Sequence, residues 1–332
     1  RRPRPADALS AVAEEGLRQK LRRWALGLAW SLKPPRLWGV PATLLLLARH
    51  YGGLGPAPGE LPDPDRALRV PDGLAGICTD LSLPMLLEAY KKGLFPLAHV
   101  GPQKWWAPAE RMVCFPDEVH ISKTVRRLLR IRQFEVTFDT DFSGVVAGCA
   151  APRPGRLPLT WIRPDIVEAY AALYEAGYAH SVEVWDKAGD LAGGLYGVHL
   201  GRAFFGESMF SRARDASKIA LVYLVARLKY GGFTLLDTQF VTGHLARFGA
   251  IEVSRDEFQR LLEGALGTAQ GSGSGSSGAT VSSASAGGGT GSAAGSGAAW
   301  GAGAFAALPA DADGAFVLQL VSQTSNTGCS TA

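Results

Sequence analysis

The stretch AHSVEVWDKAGDLAGGLYGVHLGRAFFGESMFSRARDASKIALVYLVARLKYGGFTLLDTQF, residues 179–240, decides the fold. Residues 179–186 alternate as a strand, 190–200 form the next, and 202–210 follow at once. Residues 217–230 then read as a helix closed by Gly231-Gly232, and 234–239 return as a strand. Strands in succession with helices interleaved predict a mixed α+β fold, not a doubly wound parallel sheet. Outward from this centre, 83–92 is a helix opened by Asp80 or Ser82 and stopped by Gly93. A basic helix at 122–132 is capped by Ser122, 134–138 is a strand and 141–149 a short helix. Pro164 starts a helix over 164–176 that Gly177 ends, and 244–248 and 255–266 are short helices.

The chain has 332 residues, with 34 Lys+Arg against 30 Asp+Glu. A net charge of +4 excludes a histone-like basic protein but leaves room for a local nucleic-acid patch. The 47% apolar content excludes wholesale disorder and suffices for a sizeable core. Cys78, Cys114, Cys149 and Cys329 have neither metal-ligand nor redox spacing. A reducing, cytoplasmic setting and no bound metal are therefore expected. Composition divides the chain into an extension at 1–69, a middle zone at 70–266 and a tail at 267–332. The extension forms one or two amphipathic helices, with Arg18, Lys20, Arg22 and Arg23 beside Trp24 and Leu26. Its longest clean apolar run, 37–48, is too short to span a bilayer, so no stable membrane insertion is expected. The tail is rich in Gly, Ser and Ala and reads as a flexible linker, with 316–321 as an apolar run able to dock back as a strand.

Several residues carry chemistry. In Gly206-Glu207-Ser208-Met209-Phe210-Ser211 a carboxylate follows apolar strand residues, and desolvation there raises its pKa or demands a partner. The alternative is a strand-end Glu paired with a surface Arg. The period of two puts Asp237 and Gln239 on one strand face, where an acid and an amide hold and orient an amine. The alternative is a solvent-facing polar pair. Lys123, Arg126, Arg127 and Arg130 recur at spacing three to four, with Arg132 just beyond, in a stripe suited to a phosphate backbone or to solvent. Asp215 or Ser217 caps the helix that follows. Trp105, Trp106 and Trp161 stack on a base, line a pocket or fill the core. No phosphate loop, dinucleotide turn, HExxH or nucleophile elbow is present, so a covalent nucleophile is not indicated.

Ten motifs then stand in one order: Gly93-Leu94-Phe95-Pro96, Trp105-Trp106-Ala107-Pro108, His120-Ile121-Ser122-Lys123, Thr160-Trp161-Ile162, Glu168-Ala169-Tyr170, His180-Ser181-Val182-Glu183, Gly193-Gly194-Leu195-Tyr196-Gly197, the Glu207 segment, Ala216-Ser217-Lys218 and Leu236-Asp237-Thr238-Gln239. Over about residues 70–266 the chain resembles the bacterial leucyl/phenylalanyl-tRNA–protein transferases. The resemblance implies that the middle zone is a small N-terminal α/β domain at 70–108 and a main, GNAT-like acyltransferase domain at 109–266 that uses no acetyl-CoA and no other cofactor. It implies a monomer that takes leucyl-tRNA or phenylalanyl-tRNA as donor and proteins with N-terminal Arg or Lys as acceptors, creating an N-degron. It implies Asp237 as general base, Gln239 as the orienting amide and Glu207 as the supporting acid. Leu195, Phe204, Met209, Leu221, Leu224 and Leu236 would form the side-chain pocket, with Ser211 also at the substrate. Tyr90, Trp105, Trp106 and Trp161 would surround the terminal adenosine and the site, and Lys123, Arg126, Arg127 and Arg130 would meet the tRNA stem. Residues 152–158 look like a small insertion. The rival reading is a non-catalytic tRNA-binding protein on the same scaffold, which would have lost Asp237, Gln239 or Glu207; all three are present.

Overall fold

A computed structural model describes residues 17–31, 36–54, 59–152, 155, 159–241, 243–267, 305 and 313–322. In chain order, helices α1 (Leu17–Ser31) and α2 (Val40–Arg49) precede strand β1 (Leu74–Ile77) and α3 (Leu83–Lys91). Strands β2 (Phe95–Pro96), β3 (Lys104–Trp106) and β4 (Glu110–Cys114) lead into α4 (Lys123–Arg130), β5 (Glu135–Phe138), α5 (Phe142–Ala150) and α6 (Pro164–Glu175). Then come β6 (Ala179–Trp185), β7 (Leu191–Leu200), β8 (Ala203–Ser211), α7 (Ala216–Tyr230) and β9 (Leu235–Asp237). Helix α8 (Gly243–Ala246), β10 (Ile251–Ser254), α9 (Arg255–Leu266) and α10 (Gly314–Ser322) complete the order.

The elements expected over 83–266 are present within one or two residues at most ends. Their caps explain the boundaries. Ser122 Oγ accepts from Val125 N, Asp141 Oδ1 from Gly144 N and Ser254 Oγ from Glu257 N. Gly93 ends α3 at φ 72°, a conformation that a side chain disfavours.

Two sheets result. A small antiparallel sheet runs β1-β3-β2, and a seven-stranded sheet runs β10-β4-β9-β8-β7-β6-β5. All pairs of the large sheet are antiparallel except β8–β9, which α7 joins as a parallel crossover. Helices cover both faces. Leu86 and Tyr90 of α3, Val145 of α5, Ile166 and Tyr170 of α6 and Phe258 of α9 belong to one buried cluster. Val125 and Leu129 of α4 and most of α7 belong to the other, with Val317 and Val321 of α10. Neighbours Phe204 and Phe205 fall in opposite clusters, as the strand period requires.

Three expectations fail. The strand expected over 234–239 stops at Asp237, because the chain turns at Gln239 with φ 63°. Neither Asp215 nor Ser217 caps α7 through its side chain; Asp215 pairs with Lys218, and Ser211 Oγ accepts from Ser217 N. The apolar run 316–321 is helical, not a strand. Its buried residues Val317 and Val321 stand four apart, and the helix packs on α7 and α4. Phe305 also docks, its ring 3.9 Å from that of His180 and its carbonyl accepting from Arg227 Nε. The rest of the expected linker and five of the seven residues of the expected insertion lie outside the described residues.

Candidate functional site

The parallel pairing of β8 with β9 ends at Phe205–Asp237. Beyond that point β8 continues through Gly206 and Glu207, while the chain after β9 turns away at Thr238-Gln239. The turn is pinned to β4: Thr238 N and Oγ1 both donate to Met112 O, and Met112 N donates to Gln239 O. On the other edge of β8 the β7 register shifts between Tyr196 and Gly197. A Cβ at Gly197 would come within 2.3 Å of Phe205 O, so glycine is required there. Glu207 thus stands at a bulge toward β7 and past the end of the pairing with β9.

Glu207 is buried among donors. Tyr90 Oη donates to its Oε1 at 2.7 Å, Tyr170 Oη to its Oε2 at 2.8 Å and Gln239 Nε2 to Oε1 at 3.1 Å. The two phenol oxygens are themselves only 2.6 Å apart. Three short oxygen–oxygen contacts need three protons, and two phenols supply two. When Glu207 is protonated it supplies the third, and the Tyr170 bond reverses: Oε2–H donates to Tyr170, Tyr170 to Tyr90 and Tyr90 to Oε1. Burial first, and then the nearby charge of Asp237, push Glu207 up to about 7, against the lowering pull of its hydrogen bonds to the tyrosines and Gln239. Burial and the Glu207 charge hold Tyr90 and Tyr170 well above the ordinary phenol range, so both remain donors at neutral pH.

Asp237 is placed differently. Its carboxylate is fully buried and gripped by Arg111, Nε to Oδ1 at 2.9 Å and Nη2 to Oδ2 at 2.6 Å. Oδ1 also accepts from Gln239 N at 2.8 Å, which fixes the turn carrying the Gln239 amide. Arg111 spends Nη1 on Gly93 O, and its guanidinium lies 4.6 Å from the Phe95 ring centre and 4.5 Å from that of Phe258. Arg111 and Tyr170 were not among the sequence-derived site residues. Tyr170 stood within a family motif. Arg111 had only one indirect signal, that a buried Asp needs a cation from somewhere.

A cleft of about 960 Å³ opens beside Glu207. Leu195, Met209, Leu221, Leu224 and Leu236 line it, with Ser211 and Glu207. Phe204 is not among the lining residues; it is buried with its ring 5.5 Å from that of Phe305. Asp237, Gln239 and Tyr90 are buried and do not line it. Trp105 is buried in the core, Trp106 donates to Leu97 O, and Trp161 meets the Tyr170 ring edge-on at 6.5 Å. Tyr196 lines the cleft without exposure, and its hydroxyl has no hydrogen-bond partner.

Helix α4 exposes Lys123, Arg127 and Arg130 on one face. Arg126 is half-buried and donates through Nε to Ile121 O, and Arg132 pairs with Asp313, so the expected stripe of four becomes three. Among the described residues no group of three or more His, Cys, Asp or Glu is placed to hold a metal ion. No described helix is long and apolar enough to cross a membrane.

A buried carboxyl raised to about 7, at the break of a mixed sheet and beside an apolar cleft, equips a transferase for proton-coupled group transfer. The model of the leucyl/phenylalanyl-tRNA protein transferase family matches residues 113–263, and that of its N-terminal domain matches 79–109. A leucyl/phenylalanyl-tRNA–protein transferase of Pseudomonas fluorescens is 49% identical over 205 residues, covering 61% of this chain and 90% of the relative. One from Aromatoleum aromaticum is 51% identical over 201 residues, covering 60% and 84%. The chain belongs to the leucyl/phenylalanyl-tRNA–protein transferase family. Among solved structures, L-PGS from Bacillus licheniformis overlaps 50% of this chain and 55% of its own at 14% identity and a TM-score of 0.27, too little to bear on the fold.

Proposed function

We infer that this chain moves Leu or Phe from the ester of an aminoacyl-tRNA to the α-amino group of a protein beginning with Arg or Lys. The observation that carries the reading is about half identity across most of the length of relatives whose names state that donor and a protein acceptor. The leucine-lined cleft beside Glu207 fits a Leu or Phe side chain. In the reaction the amine nitrogen attacks the ester carbonyl, the C–N bond forms and the C–O bond to the ribose breaks. The nitrogen loses a proton and the ribose oxygen gains one. The ester is already activated, and an N-terminal amine with a pKa near 8 loses its proton readily, so much of the rate comes from positioning. In this reading Gln239 orients the reacting groups, held from one side by Glu207 and from the other by Asp237. With both oxygens of Asp237 committed to Arg111, it acts as a positioning residue, and the general-base role is not assigned to it.

The parting of β8 from β9 supports a GNAT-like arrangement for 109–266, and the separate three-stranded sheet supports a small domain at 70–108. A monomeric, cytoplasmic enzyme without metal or cofactor is the simplest form of the reading. Label from leucyl-tRNA moving to a peptide that starts with Arg, and not to one that starts with Ser, establishes the activity and its acceptor rule. Binding of tRNA without transfer to either peptide would instead support the non-catalytic reading.

The exposed face of α4 supports a tRNA contact. The double variant Arg127→Glu/Arg130→Glu is expected to weaken tRNA binding and to reduce the slope of log affinity against log salt by roughly two. Arg126→Ala should change that slope least, since its guanidinium is tied to Ile121 O. An unchanged slope in the double variant removes α4 from the footprint. Tyr196→Phe keeps the ring that packs edge-on against Tyr170 and Phe142 and deletes only the unpartnered hydroxyl. Its melting temperature should hold or rise, and kcat/KM should stay within about twofold, because the deleted hydroxyl is unexposed and bonds nothing. Full activity in this variant assigns the hydroxyl no part in the reaction.

A further inference from the structure

The residues ahead of the family-matched region have a chemistry of their own. Residues 17–54 contain seven Lys and Arg, from Arg18 to Arg49, three Trp, and no Asp or Glu. Helix α2 turns its apolar stripe outward. Pro41, Leu44, Leu45 and Ala48 recur at the i, i+3, i+4, i+7 spacing of one helix face, and all four are exposed. Leu44 and Leu45 are 59% and 61% exposed, and Trp38, one turn earlier, is 74% exposed. On α1, Leu21 and Trp24 are exposed one turn apart, beside exposed Arg22. A helix on a water-facing surface buries its apolar stripe; here an apolar stripe is left exposed.

We propose that α1 and α2 form a docking face for a membrane surface carrying anionic phospholipid. The ten residues of α2 span about 15 Å, so the helix lies in the headgroup plane with Leu44 and Leu45 toward the acyl chains. Trp24 and Trp38 suit the interface, and the cations of 17–54 meet the lipid phosphates. Nucleic acid fits less well, because Pro41, Leu44, Leu45 and Ala48 offer it neither hydrogen bonds nor stacking. A second copy fits less well too, since a two-fold contact would bring two sets of like charges together with no acid between them. The inference does not depend on the transfer reading.

Flotation of the full chain with phosphatidylcholine vesicles, with and without about one third phosphatidylglycerol, tests it. Partition onto the anionic vesicles should be at least about tenfold stronger and should weaken with salt. Leu44→Glu/Leu45→Glu should lower that partition about tenfold with melting temperature and peptide transfer unchanged. Equal partition of wild type and variant, or none onto anionic vesicles, overturns the proposal. It is equally overturned if vesicles are not bound and charge reversal at Arg22 and Arg23 weakens tRNA affinity. So is a concentration-dependent dimer that the Leu44→Glu/Leu45→Glu variant dissolves, found without vesicle binding.

Discussion

Glu207→Ala is expected to reduce transfer by about a hundredfold or more, whereas Glu207→Gln keeps the fold and a substantial part of the activity. The reason lies in the proton count at the site. Truncation leaves Tyr90, Tyr170 and the Gln239 amide without their shared acceptor, and each buried orphan costs about 1–3 kcal/mol. A glutamine offers one oxygen to accept from Tyr90 and one N–H to donate to Tyr170, so it reproduces the neutral acid. The pH dependence separates the two protonation states. For Glu207 the folded value is raised above the ordinary 4.5 to about 7. Its stabilising contribution is therefore complete below about 4.5 and is lost as pH rises to about 7, a total of about 3 kcal/mol. Wild type should lose stability relative to Glu207→Gln across that window in denaturant titrations at fixed pH. Transfer by wild type should rise as the acceptor amine deprotonates and fall as Glu207 ionises. The glutamine variant should keep only the rising limb. A glutamine variant as inactive as the alanine variant, with the stability difference flat in pH, would show that the ionised carboxylate is the working form.

The second large effect is expected at Arg111. Arg111→Met leaves the Asp237 carboxylate buried without its cation and should destabilise the fold by about 3–5 kcal/mol. Adding Asp237→Leu removes the orphaned charge as well, and most of the stability should return. Transfer should not return with it, because Gln239 N has lost the oxygen that fixes its turn. Arg111→Lys keeps the charge but not the paired N–H donors, so its melting temperature should fall between wild type and Arg111→Met. If the double variant regains full transfer along with stability, the pair serves packing alone and the positioning role of Asp237 is withdrawn.

The N-cap residues, the helix-stopping glycines and the alternation across 179–210 were local signals, and they placed α3 through α7 and α9 and strands β5 through β8 within a few residues. β4 and β10, Glu110–Cys114 and Ile251–Ser254, escaped notice. They are held by pairing with each other and with β9, partners distant in sequence. The turn at Gln239 was misread as strand for the same reason. Its φ of 63° goes with a local bond, Gln239 N donating to Asp237 Oδ1, and with pairing to the Met112 backbone, which is distant in sequence.

From residue order alone came the mixed fold, through strand and helix periods, and the ordered motifs, whose resemblance to a family implied Glu207, Gln239 and the cleft leucines. Tertiary structure alone decided that Arg111 locks Asp237, that Tyr90 and Tyr170 close a ring with Glu207, and that Phe204 packs against Phe305 instead of lining the cleft. Those pairings join residues 126, 117, 37 and about a hundred positions apart. A period reports which way a side chain points, and only the packed chain reports what it meets there.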